Sequence, residues 1–180
     1  MRAINSIAVF CGSRVGGNPA YAEAARDLGR GLAGAGVRLV YGGGRVGMMG
    51  IVADAALAHG GAVLGVIPGF LRRREAAHLA LTDLIETDSM HSRKQRMADE
   101  SDAFLCMPGG LGTLDETLEI ITWRQLGLHA KPVLLCDVAG SVKPFVAALE
   151  AAVEQGFASP GVRGFYEVLD GVPAVLARIG

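Results

Sequence analysis

Short apolar runs alternate with longer stretches of helical character along the chain, and most of the runs end at glycine or another turn-forming residue. Strands that are apolar on both faces are typical of a parallel sheet covered by helices on each side. The runs that we predict to be strands cover residues 6–11, 38–41, 62–67, 83–86, 103–106 and 133–136.

Helix signals lie between most of these runs. Asn18 supplies an N-cap for the first helix, and Asp88 or Ser89, Thr113 and Ser141 can cap three later ones. The predicted helices span residues 18–33, 47–59, 88–99, 113–126 and 141–155, with a short last helix near 172–179. This order predicts the α/β class: a Rossmann-like, doubly wound parallel sheet with helices on both faces, in a single domain over residues 1–180.

The composition is that of one well-buried core and argues against two classes of partner. The chain has 180 residues, of which 51% are apolar and 19% charged, and its formal net charge is −1. Without a block of lysine and arginine, we expect no binding of nucleic acid or of an anionic membrane. No apolar run approaches the roughly 20 residues that cross a bilayer, and the start of the chain does not resemble a signal peptide. We therefore expect a cytoplasmic protein with a small-molecule ligand.

Glycine is abundant, with 26 residues, and it clusters after three of the predicted strands. Glycines let several backbone N–H groups approach a phosphate beside the N-terminus of a helix. The alternative is that they serve only tight turns. Residues 42–47 also match G-x-G-x-x-G, but no acid ends the next strand and no Walker sequence occurs, which argues against NAD and ATP chemistry. The candidate phosphate contacts are Ser13, Gly43, Gly44, Gly109, Gly110, Leu111, Gly112 and Thr113.

A charged helix precedes the last glycine turn. Its residues Met90, Arg93, Lys94 and Met97 share one face at i, i+3, i+4 and i+7 spacing. Because the methionines are expected to face the core, Arg93 or Lys94 is drawn inward, and a buried arginine requires an anion such as phosphate or carboxylate. The alternative is an arginine that reaches solvent from the helix surface.

Glu116 lies just after the last glycine turn and has two interpretations. Thr113 and Glu116 match a capping box, in which the carboxylate only caps its helix. Alternatively, a carboxylate beside a phosphate loop faces the sugar of a bound nucleotide. There it would stabilise a ribosyl oxocarbenium ion and orient the attacking water.

Cysteine and histidine give little sign of further chemistry. Cys11, Cys106 and Cys136 each end an apolar run without paired spacing, so buried apolar positions are expected, with a thiol nucleophile as the alternative. The histidines lack metal-ligand spacing and are expected on the surface, so no metal site is predicted. The irregular segment 69–82 is either a mobile loop over the site or a solvated basic turn.

Several segments together resemble the LOG (lonely guy) family, the cytokinin riboside 5′-monophosphate phosphoribohydrolases formerly often labelled lysine decarboxylases. Two of its motifs, M-H-x-R-K and P-G-G-x-G-T-x-x-E, end at Lys94 and Glu116 and are highly specific as a pair. The resemblance covers nearly the whole chain through the segments CGSRVGGNPAY, GGGRVGMMG, VIPGFL, SMHSRK, PGGLGTLDE and ITWRQLGLHAKPV.

The resemblance implies hydrolysis of the bond between an adenine-type base and ribose 5′-monophosphate, without a metal or redox cofactor. It implies Arg93 and Glu116 as the catalytic pair and a homodimer with the site near the subunit interface. The loop around Glu75 departs from the usual family sequence, which leaves the preference between prenylated adenine and plain AMP open. The substrate contacts so implied are Glu75, Arg93, Lys94, Gly110 to Glu116 and Thr122, to which the glycine turns and the charged helix add Ser13, Gly43, Gly44, Met90 and Gly109.

Two other functions are compatible with the same turns. One is a non-catalytic carrier of a nucleotide or phosphorylated cofactor, in which Glu116 only caps its helix. The other is a hydrolase of many purine or pyrimidine nucleoside monophosphates.

Overall fold

A parallel sheet forms the centre of the computed structural model, which describes residues 3–72 and 77–180. Over these residues its order is β4-β3-β2-β1-β5-β6-β7. The strands are β1 Ser6–Phe10, β2 Arg38–Tyr41, β3 Val63–Pro68, β4 Asp83–Thr87, β5 Ala103–Cys106, β6 Val133–Asp137 and β7 Glu167–Asp170. The helices are α1 Pro19–Gly34, α2 Gly47–Ala58, α3 Met90–Asp99, α4 Leu111–Gln125, α5 Lys143–Glu154 and α6 Gly171–Ile179, with a short 3-10 helix at Pro160–Gly164.

Helices cover both faces of the sheet, which confirms the predicted doubly wound α/β fold. Successive residues of a strand point to opposite faces. Val9 of β1 therefore packs in the layer formed by α1, α2 and α6, whereas Phe10 packs against α3, α4 and α5. Because both faces are buried, β3, β5 and the part of β1 after Ser6 contain no polar side chain other than the thiol of Cys106.

The element boundaries agree with the sequence except in three places. Asn18 caps α1 through its Oδ1, and Ser89 caps α3 in a capping box with Ser92. The predicted caps Thr113 and Ser141 are wrong, because α4 and α5 begin at Leu111 and Lys143. Strand β7 was not predicted, because it is a mostly exposed edge strand without an apolar run.

The site is positioned by the reversal of strand order between β1 and β5. Ligands of doubly wound sheets bind outside the carboxyl ends of the strands at such a point, because the loops there diverge. Two hydrogen bonds join the two loops at their base: Met107 donates to Phe10, and Gly12 donates to Pro108. In the described residues, no helix is both long and apolar enough to cross a bilayer.

Candidate active site at the carboxyl edge of the sheet

Two adjoining cavities lie at the β1/β5 reversal. The larger, of about 630 Å³, lies between the loop after β1 and the turn after β5. The smaller, of about 200 Å³, contains Arg93 and Glu116. Ser13, Gly110 and Leu111 line both cavities, so the two meet at the start of α4. A single ligand can therefore contact that helix start and the Arg93–Glu116 pair.

Arg93 is buried on the inner face of α3, with 5% of its surface exposed. Its Nε donates to the carbonyl of Val66 and its Nη2 to the carbonyl of Gly42, each at 3.1 Å. These carbonyls lie at the carboxyl ends of β3 and β2. The inward orientation predicted from the methionine spacing is thus correct for Arg93, and the solvent-reaching alternative is wrong.

Glu116 provides the carboxylate that faces this buried guanidinium. Its Oε1 lies 3.9 Å from Nη1 of Arg93, and its side chain is 12% exposed. The capping-box interpretation is wrong, because Gly110 is the N-cap of α4 and Thr113 is buried inside the first turn. Glu116 therefore lines the smaller cavity one and a half turns into the helix.

Lys94 connects α3 to α4 beside this pair. Its Nζ lies 2.6 Å from Asp115 and 2.9 Å from Glu119, and 12% of its side chain is exposed. Partial burial disfavours its charge, but the hydrogen bonds to Asp115 and Glu119 outweigh this and raise the pKa of Lys94. The ammonium therefore holds the two helices together at the level of Arg93 and Glu116. A substrate would have to compete with two carboxylates for it.

The glycine turn after β2 is packed against other parts of the protein. A Cβ on Gly42 would collide with the guanidinium of Arg93, and Gly47 has a φ of 62° against the backbone of Ser13. The carbonyl of Gly12 accepts the N–H groups of Met48 and Met49 in the first turn of α2. These glycines permit close packing, and those two N–H groups are not available to a phosphate.

The glycines at the start of α4 differ from those of the turn after β2. Among the described residues, a Cβ built on Gly110 or Gly112 would meet nothing within 4 Å apart from the adjacent helix backbone, and neither glycine has a positive φ. The N-cap residue is Gly110, which has no side chain that could cap this helix, and the first N–H groups of a helix have no partner within it. Packing within the protein thus does not require glycine at these two positions. A ligand that approaches the backbone closely would require it.

Of the other predicted site residues, some line the cavities and some do not. Met90 lines the smaller cavity, and its Sδ lies 3.7 Å from Nη1 of Arg93. Gly43 and Gly44 are buried in the turn after β2 and line neither cavity. Thr122 is exposed on the outer face of α4, and its hydroxyl donates to the carbonyl of Leu118. Glu75 lies outside the described residues.

Three residues that line the smaller cavity were not predicted as site residues: Cys11, Met49 and Leu71. Burial, followed by the charge of Glu116, raises the pKa of the Cys11 thiol. Burial also raises the pKa of Cys106 to about 11 and that of Cys136 to about 12. All three thiols are thus neutral near pH 7, and because the thiolate is the nucleophile, the thiol-nucleophile alternative loses its support.

The prediction that all histidines are on the surface is wrong for His78. This residue is buried, and its Nε2 lies 2.8 Å from Oδ1 of Asp54 on α2. His129 is half-buried against the ring of Phe104. Within the part of the chain that the structure describes, no group of three His, Cys, Asp or Glu residues could hold a metal ion.

Comparison with known proteins identifies the family. A family model described as "possible lysine decarboxylase" matches residues 49–179. The chain belongs to this family. A relative from Rhodococcoides fascians, named cytokinin riboside 5′-monophosphate phosphoribohydrolase, is 43% identical over 175 residues, which cover 97% of this chain and 88% of that protein. LOG7 of Arabidopsis thaliana, which has the same name, is 48% identical over 157 residues, or 87% of this chain and 72% of its own.

Solved structures share the fold of this family member. The molybdenum cofactor carrier protein of Chlamydomonas reinhardtii is 23% identical, with a TM-score of 0.73, over 99% of this chain and 96% of its own. At this identity the likeness shows the fold alone.

Replacing Arg93 by lysine will destabilise the protein. Lysine lacks the planar fork that lets Nε of Arg93 donate to Val66 while Nη2 donates to Gly42. A buried carbonyl that loses its donor costs about 1–3 kcal/mol. We expect a loss of that size in the free energy of unfolding, measured by urea denaturation. Arg96→Lys, on the outer face of the same helix, is the control and will change stability little. Equal stability of the two variants would contradict the anchoring of Arg93.

Proposed function

We propose that this protein hydrolyses the N-glycosidic bond of cytokinin riboside 5′-monophosphates, including AMP itself, to the free base and ribose 5-phosphate. The observation that carries the proposal is the buried Arg93–Glu116 pair, which lines a cavity beside the open start of α4. The relatives that are 43–48% identical to this chain are named for this reaction. We also propose that the enzyme acts in the cytoplasm.

The 5′-phosphate binds at the start of α4. The N–H groups of the first helical turn and the positive end of the helix dipole attract an anion. Gly110 and Gly112 leave open space in which its oxygens can approach the backbone. Hydrogen bonds to a charged group contribute about 1.5–3 kcal/mol each, so a few of them are enough for micromolar affinity. Ser13, which lines both cavities, adds a side-chain contact.

Glu116 acts on the ribose. As the bond between C1′ and the base nitrogen breaks, its electron pair goes to the base and positive charge develops on the ribose ring. The carboxylate stabilises this charge and orients the water whose oxygen bonds to C1′. The water proton passes to Glu116 or solvent, and the base takes up a proton. Arg93 faces the carboxylate of Glu116 and holds its direction, while Met90 contributes to the wall of the cavity.

Lysine-dependent decarboxylation has no support from the positions of Lys94, Lys131 and Lys143, which are the lysines of the chain. Lys94 is held by two carboxylates, Lys131 donates to the carbonyl of Ala98, and Lys143 is exposed. None of the three lines either cavity. A cofactor aldimine requires a lysine that reaches into the site.

The enzyme is a homodimer that uses the outer face of α4. Leu111, Leu118, Thr122 and Leu126 form an exposed stripe along this face, and the stripe begins where the two cavities meet. Exposed apolar stripes of this kind mark protein interfaces. A substrate contact by Thr122 then comes from the partner subunit, because Thr122 lies about three turns along α4 from Leu111 and lines neither cavity of its own subunit. Glu75, Gly43, Gly44 and Lys94 remain proposed substrate contacts on the family resemblance and the glycine pattern.

Glu116→Gln tests the reaction. The wild-type protein will release free base from isopentenyladenosine monophosphate and from AMP, measured by chromatography, and Glu116→Gln will reduce the rate by at least about 100-fold. Nucleotide binding, measured by calorimetry, will persist in the variant. If the wild-type protein binds both nucleotides and leaves them intact, it is a carrier and the proposed reaction is wrong. Equal rates on many nucleoside monophosphates would indicate the broad hydrolase instead.

Gly110→Ala tests the phosphate site separately from the fold. None of the described residues crowds a methyl group here, and the φ of Gly110 is −100°, outside the left-handed region, so the melting temperature will stay within about 2 °C of wild type. The KM for AMP will rise about tenfold or more, because the methyl group occupies the approach of the phosphate. Gly34→Ala, at the exposed end of α1, is the matched control. Unchanged KM in Gly110→Ala would exclude the phosphate from this helix start.

Leu118→Asp tests the dimer. A charge in the middle of the α4 stripe costs several kcal/mol at a packed interface, and we expect this variant to sediment as a monomer at micromolar concentration. Phe157→Asp, which replaces another exposed apolar residue far along the chain, will sediment as wild type. A monomeric wild-type protein, or a dimer that Leu118→Asp leaves intact, would contradict the proposed interface.

A further inference from the structure

A short stretch of chain, Ala77 and His78, closes over the turn that holds Arg93. Ala77 forms an antiparallel bridge with Gly44, and the backbone N–H of His78 donates to the carbonyl of Gly43 at 2.9 Å. The next carbonyl back along the chain, that of Gly42, accepts Nη2 of Arg93. Arg93 and His78 thus hold the same turn: the guanidinium binds the carbonyl of Gly42, and the backbone of His78 binds the carbonyl of Gly43.

The side chain of His78 fixes this stretch to α2. Only 3% of it is exposed, and both ring nitrogens have partners. Nδ1 accepts the N–H of Ala80 at 3.3 Å, so the ring proton is on Nε2, which donates to Asp54 at 2.8 Å. Asp54 is on the surface of α2, with 61% of its side chain exposed. The imidazole is therefore fixed in place and in tautomer, and it lines neither cavity.

The orientation of Arg93 depends on this turn. Two backbone carbonyls, those of Gly42 and Val66, set the plane of the guanidinium, and Val66 is fixed within β3. Gly42 lies in a loop of glycines that has little stiffness of its own. The hydroxyl of Tyr41 holds the far end of that loop through the carbonyl of Gly44. The hydrogen bond from His78 holds its middle.

We infer that His78 is a positioning residue for the hydrolysis: anchored on Asp54, it fixes the Gly42–Gly43 turn and thereby the direction in which Arg93 faces Glu116. The inference rests on the proposed function. A guanidinium that is displaced by a fraction of an ångström still binds its carboxylate but no longer aligns it with the ribosyl carbon, so turnover is affected more than binding.

Variants of Asp54 and His78 test this role through AMP hydrolysis. Asp54→Ala removes the anchor from an exposed position, so the variant is expected to fold. It and His78→Ala will lower kcat about tenfold or more and change KM less than about threefold. Asp54→Asn keeps an oxygen that accepts the Nε2 proton and will retain most of the wild-type kcat. His59→Ala, at the exposed end of α2, is the control and will behave as wild type.

A double-mutant cycle with Arg93→Lys separates positioning from general stabilisation. If His78 acts through Arg93, Asp54→Ala will have little further effect on kcat in the Arg93→Lys background. Effects that multiply, a KM change that exceeds the kcat change, or an Asp54→Ala variant with wild-type kcat would each overturn the inference. An active wild-type enzyme with unaffected variants overturns this inference alone, whereas an inactive wild-type protein overturns the proposed function and the inference with it.

Discussion

The burial of the Arg93 guanidinium is the constraint on which the rest of the site depends. A charged group inside a protein is tolerated only when its donors are satisfied and an anion is near. Here the donors meet carbonyls at the carboxyl ends of β2 and β3, and the anion is Glu116. The position of the arginine thus depends on three features together: the carbonyls at the sheet edge, the space left by Gly42 and the carboxylate carried by α4.

The sheet topology places these groups together. The reversal of strand order between β1 and β5 opens the crevice. Helix α4 begins at the edge of this crevice, where its N-terminus is accessible. Helix α3 arrives at the same edge from β4 and carries Arg93, while Lys94 joins it to Asp115 and Glu119 of α4. A helix start that attracts phosphate and a carboxylate that faces the sugar therefore lie on one helix, about one and a half turns apart.

Glycines that look alike in the sequence have different roles. In the turn after β2, Gly42 leaves room for the guanidinium, and Gly47 allows the backbone to pass Ser13. At the start of α4, Gly110 and Gly112 face open space. A glycine-rich turn therefore permits close internal packing in one place and leaves the backbone accessible in the other. Nothing in the local sequence separates the two, because the neighbours that matter come from other parts of the chain.

The sequence by itself determined the fold class, most element boundaries and the candidate pair Arg93 and Glu116, because apolar periodicity and caps are local properties and the family motifs are specific. It did not show that α4 begins at Leu111, which excludes the capping role of Glu116, nor that His78 is buried on Asp54. It also missed β7, which has no apolar run. Tertiary structure decided these points, because burial, helix starts beside a tight turn and the partners of a charged side chain depend on residues that are distant in the chain.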